Sequence, residues 1–280
     1  MPINRVVAGV DGSPSSLHAV DWAADDAVRR GVPLHLVHAC PSWHGVGTES
    51  GPGRGEAGRL LEAAAERAAL HRPGAAVETE VLPGEAASVL LGLDRPDSLL
   101  VLGSRGHGAL TGALLGSVSL EVVSRAAFPV VVVRGDPAHR APWHGGVVLA
   151  AGPHGTAQAA IDFAVQEAAL RRTALHVLHA WWPEREPHGP PVYAHAGAAA
   201  QRARELVAAV GLPSAPAGVR LGRNCAPGSA ASVLLKAGAD AHLLVVGAER
   251  RPGGNGHRLG PVNHAVLHHA VCAVAVVPGS

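Results

Sequence analysis

The sequence predicts two tandem, doubly wound α/β domains, each a five-stranded parallel sheet covered by helices. Three observations predict it. The chain repeats itself: residues 6–40 align without a gap on residues 147–181, with Ala19 on Ala160, Asp21 on Asp162, Trp22 on Phe163 and His35/His38 on His176/His179. Within each copy, short β-branched runs alternate with segments of helical period. Strands such as SLLVLG (98–103) and its partner HLLVVG (242–247) are apolar on both faces, as a sheet buried between helices requires.

Each element of the first copy has its own signal. Arg5–Val10 is a β-branched run. Ser15–Arg30 carries Leu17, Val20, Ala24, Ala27 and Val28 on one helical face, and Gly31 stops it. Leu34–Ala39 is the second strand. Glu56–His71 is an Ala/Leu helix, with Glu62 and Glu66 four apart, closed by Pro73 and Gly74. Val77–Leu82, a helix from Glu85 to Leu93, Leu99–Gly103, a helix from Ser117 to Ala126, and Val130–Arg134 complete the series. Strands and helices that alternate in this way form parallel sheets with right-handed crossovers. A repeat of this length is a whole domain copied, not a short solenoid unit. The junction 134–146, rich in Pro, Gly and His, reads as a linker, which sets domains of 1–136 and 145–280 joined through 137–144.

Composition narrows the function. Arg and Lys number 23 against 22 Asp and Glu, a net charge of +1 with no charge run, which argues against a nucleic-acid or anionic-membrane partner. No apolar stretch is long enough for a membrane span. The start, MPINRVVAGVDGS, has neither a long apolar region nor an A-x-A site, so no secretory signal is expected. Cys40, Cys225 and Cys272 are far apart and odd in number, which fits a reducing cytoplasm rather than a disulfide framework.

Ligands of an open parallel sheet bind beyond the carboxyl ends of its strands, where strand order reverses. Two such ends stand out. The first strand ends in Gly9-Val10-Asp11-Gly12-Ser13-Pro14. The fourth ends in residues 101–119, with glycines at 103, 106, 108, 112 and 116 before Ser117, Val118 and Ser119 open a helix. Glycines let main-chain N–H groups approach a ligand, and a helix start carries unpaired N–H groups and partial positive charge. The alternative is a flexible loop with Ser117 as an ordinary N-cap. Asp11 can accept from ribose hydroxyls or hold a cation that bridges phosphates; the plainer reading is an N-cap or Asx-turn. The sole lysine, Lys236, lies on a predicted helix, so the loop is not a Walker motif.

The combination of VDGS after the first strand with Gly103, Gly106, Gly116 and Ser117 (G-x2-G-x9-G-S) resembles the universal stress protein family, in a tandem two-domain form covering nearly the whole chain. That resemblance implies an adenine nucleotide α-hydrolase-like, Rossmann-like fold with a nucleotide crevice. It implies ATP as the ligand, with Asp11 near ribose and any nucleotide-bound Mg2+. It places the backbone of His38 and Ala39 at adenine, and Gly103, Ser104, Arg105 and Gly106 along ribose and phosphates. Gly116, Ser117, Val118 and Ser119 would hold the phosphate tail. Gly9, Ser13 and Gly108 complete the expected lining.

The second copy departs from the motif. Asp11 matches Gly152, Gly106 matches Arg250, Ser117 matches Pro261, which has no N–H to donate, and Ser119 matches Asn263. One working site and one degenerate copy are therefore expected.

Other features weigh less. His264 and His268 are four apart on a predicted helix, beside His269, and read as surface histidines or a helical zinc pair. His38 and His179 recur at strand ends. Cys40 reads as incidental, and no nucleophile, base and orienter can be assembled. Segments 45–58 and 183–198 are expected as flaps. The last strands, 130–133 and 274–277, are expected at sheet edges, where they favour an internal pseudo-dimer and possible homodimerisation. The leading function is a nucleotide-dependent regulator in the stress response. The alternatives are a slow ATPase and a ligand-free interaction module.

Overall fold

The opening turn of the first copy is fixed by its capping chemistry. β1 (Arg5–Gly9) is buried, and α1 (Pro14–Arg30) starts where Ser13, in extended conformation, accepts the Ser16 N–H on its hydroxyl at 3.2 Å. Pro14 occupies the first turn, where a missing N–H leaves no bond unmade. The helix ends at Gly31, whose φ of 68° is the left-handed conformation that closes helices, with its N–H returned to Val28.

The computed structural model describes residues 2–41, 53–93, 97–106, 115–134, 145–182, 196–213, 218–250 and 257–279. The first copy continues with β2 (Leu34–Cys40), α2 (Arg54–His71), β3 (Val77–Pro83), α3 (Ala86–Gly92), β4 (Ser98–Gly103), α4 (Ser117–Arg125) and β5 (Val130–Val133). Its strands are parallel in the order β3-β2-β1-β4-β5, with Val6 of β1 in register with Leu34 and Leu99. The chain winds outward from β1 through β2 and β3, then crosses to β4 on the other side. Strand order therefore reverses between β1 and β4.

The second copy holds β6 (Val147–Ala150), α5 (Gln158–Arg171), β7 (Leu175–Trp181), α6 (Ala196–Ala209), β8 (Leu221–Pro227), α7 (Ala230–Gly238), β9 (Leu243–Arg250), the two-residue β10 (His257–Arg258), α8 (Pro261–His269) and β11 (Ala273–Pro278). Its main strands run parallel in the order β11-β9-β6-β7-β8, which repeats the first sheet. The chain divides into two compact units, each with its own core. Val6, Leu34, Leu36, Leu99 and Leu100 are fully buried in the first, and Leu149, Leu175, Leu243 and Leu244 in the second. The doubly wound fold expected from the sequence is the fold observed. Among the described residues, no helix is long and apolar enough to cross a membrane.

Both copies also bury an ion pair on the helix after the first strand. Asp26 and Arg30 meet at 2.6 Å with side chains 0% and 2% exposed. Glu167 and Arg171 form the same bond at the matching positions. Burial of charge is costly unless the partner is held in place, so each pair is a fixed part of its frame.

Two expectations are corrected. Residues 54–58, the end of the expected flap that overlaps the helix expected from Glu56, form the first turns of α2, because Ala57, Leu61, Ala64 and Ala68 make a buried stripe that outweighs Gly55 and Gly58. Residues 196–198 likewise belong to α6. The remainder of both flaps, 45–52 and 183–195, and the linker 137–144 lie outside the described residues.

Candidate functional site

The crevice of the first copy is built by three serines that tie the start of α1 to the chain after β4. Asp11 Oδ1 accepts the Ser13 N–H at 2.9 Å, an Asx-type turn. Ser13, not Asp11, is the N-cap, and its hydroxyl also donates to the Arg105 carbonyl at 3.2 Å. Ser15 Oγ accepts the Arg105 N–H at 3.2 Å and lies 3.5 Å from Ser104 Oγ. Ser16 donates to the Ser13 carbonyl at 3.0 Å.

This contact exists because residue 103 has no side chain. A Cβ there would lie 2.6 Å from the carbonyl carbon of Ser15 and 2.7 Å from its oxygens. Gly106 is constrained by a carboxylate: a Cβ there would meet Asp11 Oδ2 at 2.5 Å. Gly116 is different, since the nearest atom to its Cβ position is 3.6 Å away, an ordinary contact.

α4 brings the polar end of the crevice. Its N-cap is Gly116, extended at φ −73° and ψ 153°, with no side-chain cap. Ser117 is thus the first helical residue rather than the cap expected by the plainer reading. The Gly116 N–H is taken by the Ser104 carbonyl at 2.8 Å. The N–H groups of Ser117, Val118 and Ser119 fall in the first turn, beyond intrahelical partners, and no acidic residue sits there to compete for an anion. Ser119 Oγ donates to the Gly103 carbonyl at 2.8 Å, so its hydroxyl proton binds α4 to β4 and its oxygen keeps its capacity to accept. His38 Nδ1 lies 2.7 Å from the Val10 carbonyl, which can only accept, so Nδ1 carries the proton.

These groups enclose a cavity of about 230 Å3 at the reversal point between β1 and β4. Gly9, Asp11, His38, Ala39, Gly103, Arg105, Gly106, Gly116, Ser117, Val118 and Ser119 line it. Ser13 and Ser104 are buried behind the lining and hold it. Gly108 lies outside the described residues. The sequence reading missed Val10, Ser16 and the apolar wall of Val37, Ala86, Leu90 and Leu102. Ala86 and Leu90 carried a usable signal, being four apart on one face of α3. Ser15 carried one as well, as a third hydroxyl in DGSPSS.

The matching corner of the second copy is built differently. Pro14 corresponds to Gly155, yet α5 starts only at Gln158, behind Ala157 with no side-chain cap. Gly152 and Gly155 instead form an isolated antiparallel bridge, with Gly155 at φ 103°. The Cβ position of Gly247, the match of Gly103, meets nothing closer than Ala160 at 4.0 Å. Ala248 and Glu249 replace Ser104 and Arg105, so a carboxylate stands where the first copy has a guanidinium. Pro261 opens α8 without an N–H. Other ties survive. His179 Nδ1 lies 2.8 Å from the Ala151 carbonyl, and Asn263 donates to the Gly247 carbonyl at 2.9 Å, as Ser119 does to Gly103.

Fold and crevice together define a tandem doubly wound α/β protein with a cavity at the switch point of its first copy. The sequence model of the universal stress protein family matches residues 2–134 and again residues 146–278. The chain is similar to universal stress protein Rv2005c of Mycobacterium tuberculosis (strain ATCC 25618 / H37Rv), with 33% identity over 97% of this chain and 96% of that protein. It is similar to universal stress protein Rv2623 of the same strain, with 31% identity over 97% and 95%. In fold it matches the crystal structure of a universal stress protein from Archaeoglobus fulgidus DSM 4304, with a TM-score of 0.70 and 18% identity over 100% of both chains. The chain belongs to the universal stress protein family.

Proposed function

We propose that the first copy binds an adenine nucleotide, ATP in the leading case, and that the bound nucleotide sets a conformation other proteins read in the stress response. The observation that carries this reading is the cavity at the β1/β4 reversal, with Asp11 at one side and the N-terminus of α4 at the other. Val37, Ala86, Leu90 and Leu102 suit the apolar faces of a base, and the β2 end at His38 and Ala39 supplies main-chain groups for its edge. Helix N–H groups and Arg105 suit phosphate. One carboxylate plus substrate phosphates is a common way to hold Mg2+, and Asp11 fits that role.

Residues 1–136 then form the working domain and 145–280 a copy kept for its frame. Three cysteines outside any disulfide fit a cytoplasmic setting. Regulation of this kind rests on different affinities for two conformations and needs no catalysis.

Calorimetric titration with ATP tests the reading. Near one site per chain is expected, with affinity lower by about tenfold or more in Gly106→Ala. Two equal sites, or no binding and no nucleotide co-purified with the denatured protein, would overturn it. Slow hydrolysis is the second reading, favoured by Asp11 as a holder of nucleotide-bound Mg2+. Metal-dependent phosphate release that disappears in Asp11→Ala supports hydrolysis; stable binding without release supports regulation.

A further inference from the structure

We propose that His264 and His268 on α8 form a two-imidazole clip for a divalent transition-metal ion, a ligand site that belongs to the second copy alone. The two residues are one helical turn apart and both are partly exposed. Their rings lie nearly parallel, 12° apart in plane, with centroids separated by 6.1 Å. Side chains four apart sit one above the other on a helix, which is the spacing at which two imidazoles can share one ion. Imidazole nitrogens bind such ions at about 2.0–2.1 Å. His269 does not share this alignment. Its ring is tilted 48° from that of His268.

Two further observations favour a cation here. His268 lies in the last turn of α8, where the final carbonyls carry partial negative charge. The fold itself does not ask for imidazoles. Gly116 matches Gly260, so His264 and His268 correspond to Leu120 and Ser124 of α4, which forms without them.

Among the described residues, no group of three or more His, Cys, Asp and Glu surrounds a common point. Water would therefore complete the coordination, and the site is an exchangeable surface clip rather than a closed structural centre. Two nitrogen donors of intermediate softness place Cu2+ above Ni2+ and Zn2+ in affinity. A metal that bridges successive turns also fastens the end of α8.

The test uses the full-length, tag-free protein, titrated separately with Ni2+ and Cu2+ by calorimetry. The single substitutions His264→Asn, His268→Asn and His269→Asn are compared after circular dichroism confirms the same fold. The tightest site is expected to weaken by about tenfold or more in His264→Asn and in His268→Asn. It should stay nearly unchanged in His269→Asn. The rise in unfolding temperature that Ni2+ gives the wild type should vanish in the first two variants. Unchanged binding in either of those variants, equal weakening in His269→Asn, or no saturable site in the wild type would overturn the proposal.

Discussion

α1 begins at Pro14, but α5 begins at Gln158 rather than at Gly155, the match of Pro14, and the two crevices differ mainly as a consequence of that lost turn. With the turn present, Ser13 and Ser15 reach the main chain at Arg105, and Gly103 is pressed against Ser15. With the turn replaced by the Gly152/Gly155 bridge, Gly247 has open space and the residues after it are released from small size. The frame is nevertheless common to both. The buried carboxylate–arginine pair, the histidine that ties the second strand's end to the first, and the side-chain donor on the strand-end carbonyl at 103 or 247 all recur. Sheet and crevice are thus separable: one is held by buried contacts, the other by a single helical turn.

The widest test of the shared frame removes its buried carboxylates. Asp26→Ala and Glu167→Ala should each cost about 3–5 kcal/mol, measured by chemical denaturation, since each takes away the nearest counter-charge of a buried guanidinium. A large loss in one copy and none in the other would break the equivalence.

The next test targets the difference. Gly103→Ala should destabilise by about 1–3 kcal/mol, because its methyl group meets backbone that must shift. Gly247→Ala should stay within about 0.5 kcal/mol of wild type. Equal effects would mean that the lost turn does not govern the crevice.

Gly106→Ala and Gly116→Ala sharpen the same contrast inside the first copy. The former displaces Asp11 Oδ2 and should lower nucleotide affinity by about 1.4 kcal/mol or more, a tenfold change read by calorimetry. The latter meets no close protein atom and should leave stability within about 0.5 kcal/mol of the wild type, measured by thermal unfolding.

The smallest effect lies at the helix ends. Gly31 and Arg172 occupy matching left-handed positions, at φ 68° and 50°. Arg172→Gly should stabilise by about 0.5–1 kcal/mol and Gly31→Ala should destabilise by a similar amount, both measured by thermal unfolding.

Much of this was legible in the sequence, and particular residues show where legibility ended. Strand and helix order followed from period and from apolar runs such as SLLVLG. The loss at Gly152, Arg250 and Pro261 could be read from alignment of the copies. The exchange of Arg105 for Glu249 was equally readable and was missed. Asn263 misled, because it looked like a loss of Ser119. An amide and a hydroxyl are different letters, but both can donate to the same carbonyl. The close approach of Gly103 to Ser15 was hidden for another reason. It depends on the distance between two strand ends that no local spacing encodes. Residues 56–58 are claimed both by the helix expected from Glu56 and by the glycine-rich flap, and the buried face from Ala57 to Ala68 decides for helix and carries its start back to Arg54.

The late start of α5 bears on any attempt to rebuild the second crevice. An aspartate placed at position 152 alone would meet no helical turn two residues further on, because Gly152 and Gly155 pair in a bridge and the helix starts only at Gln158. Repair by single residues is therefore blocked by the backbone, and the segment 152–157 has to be exchanged as one unit.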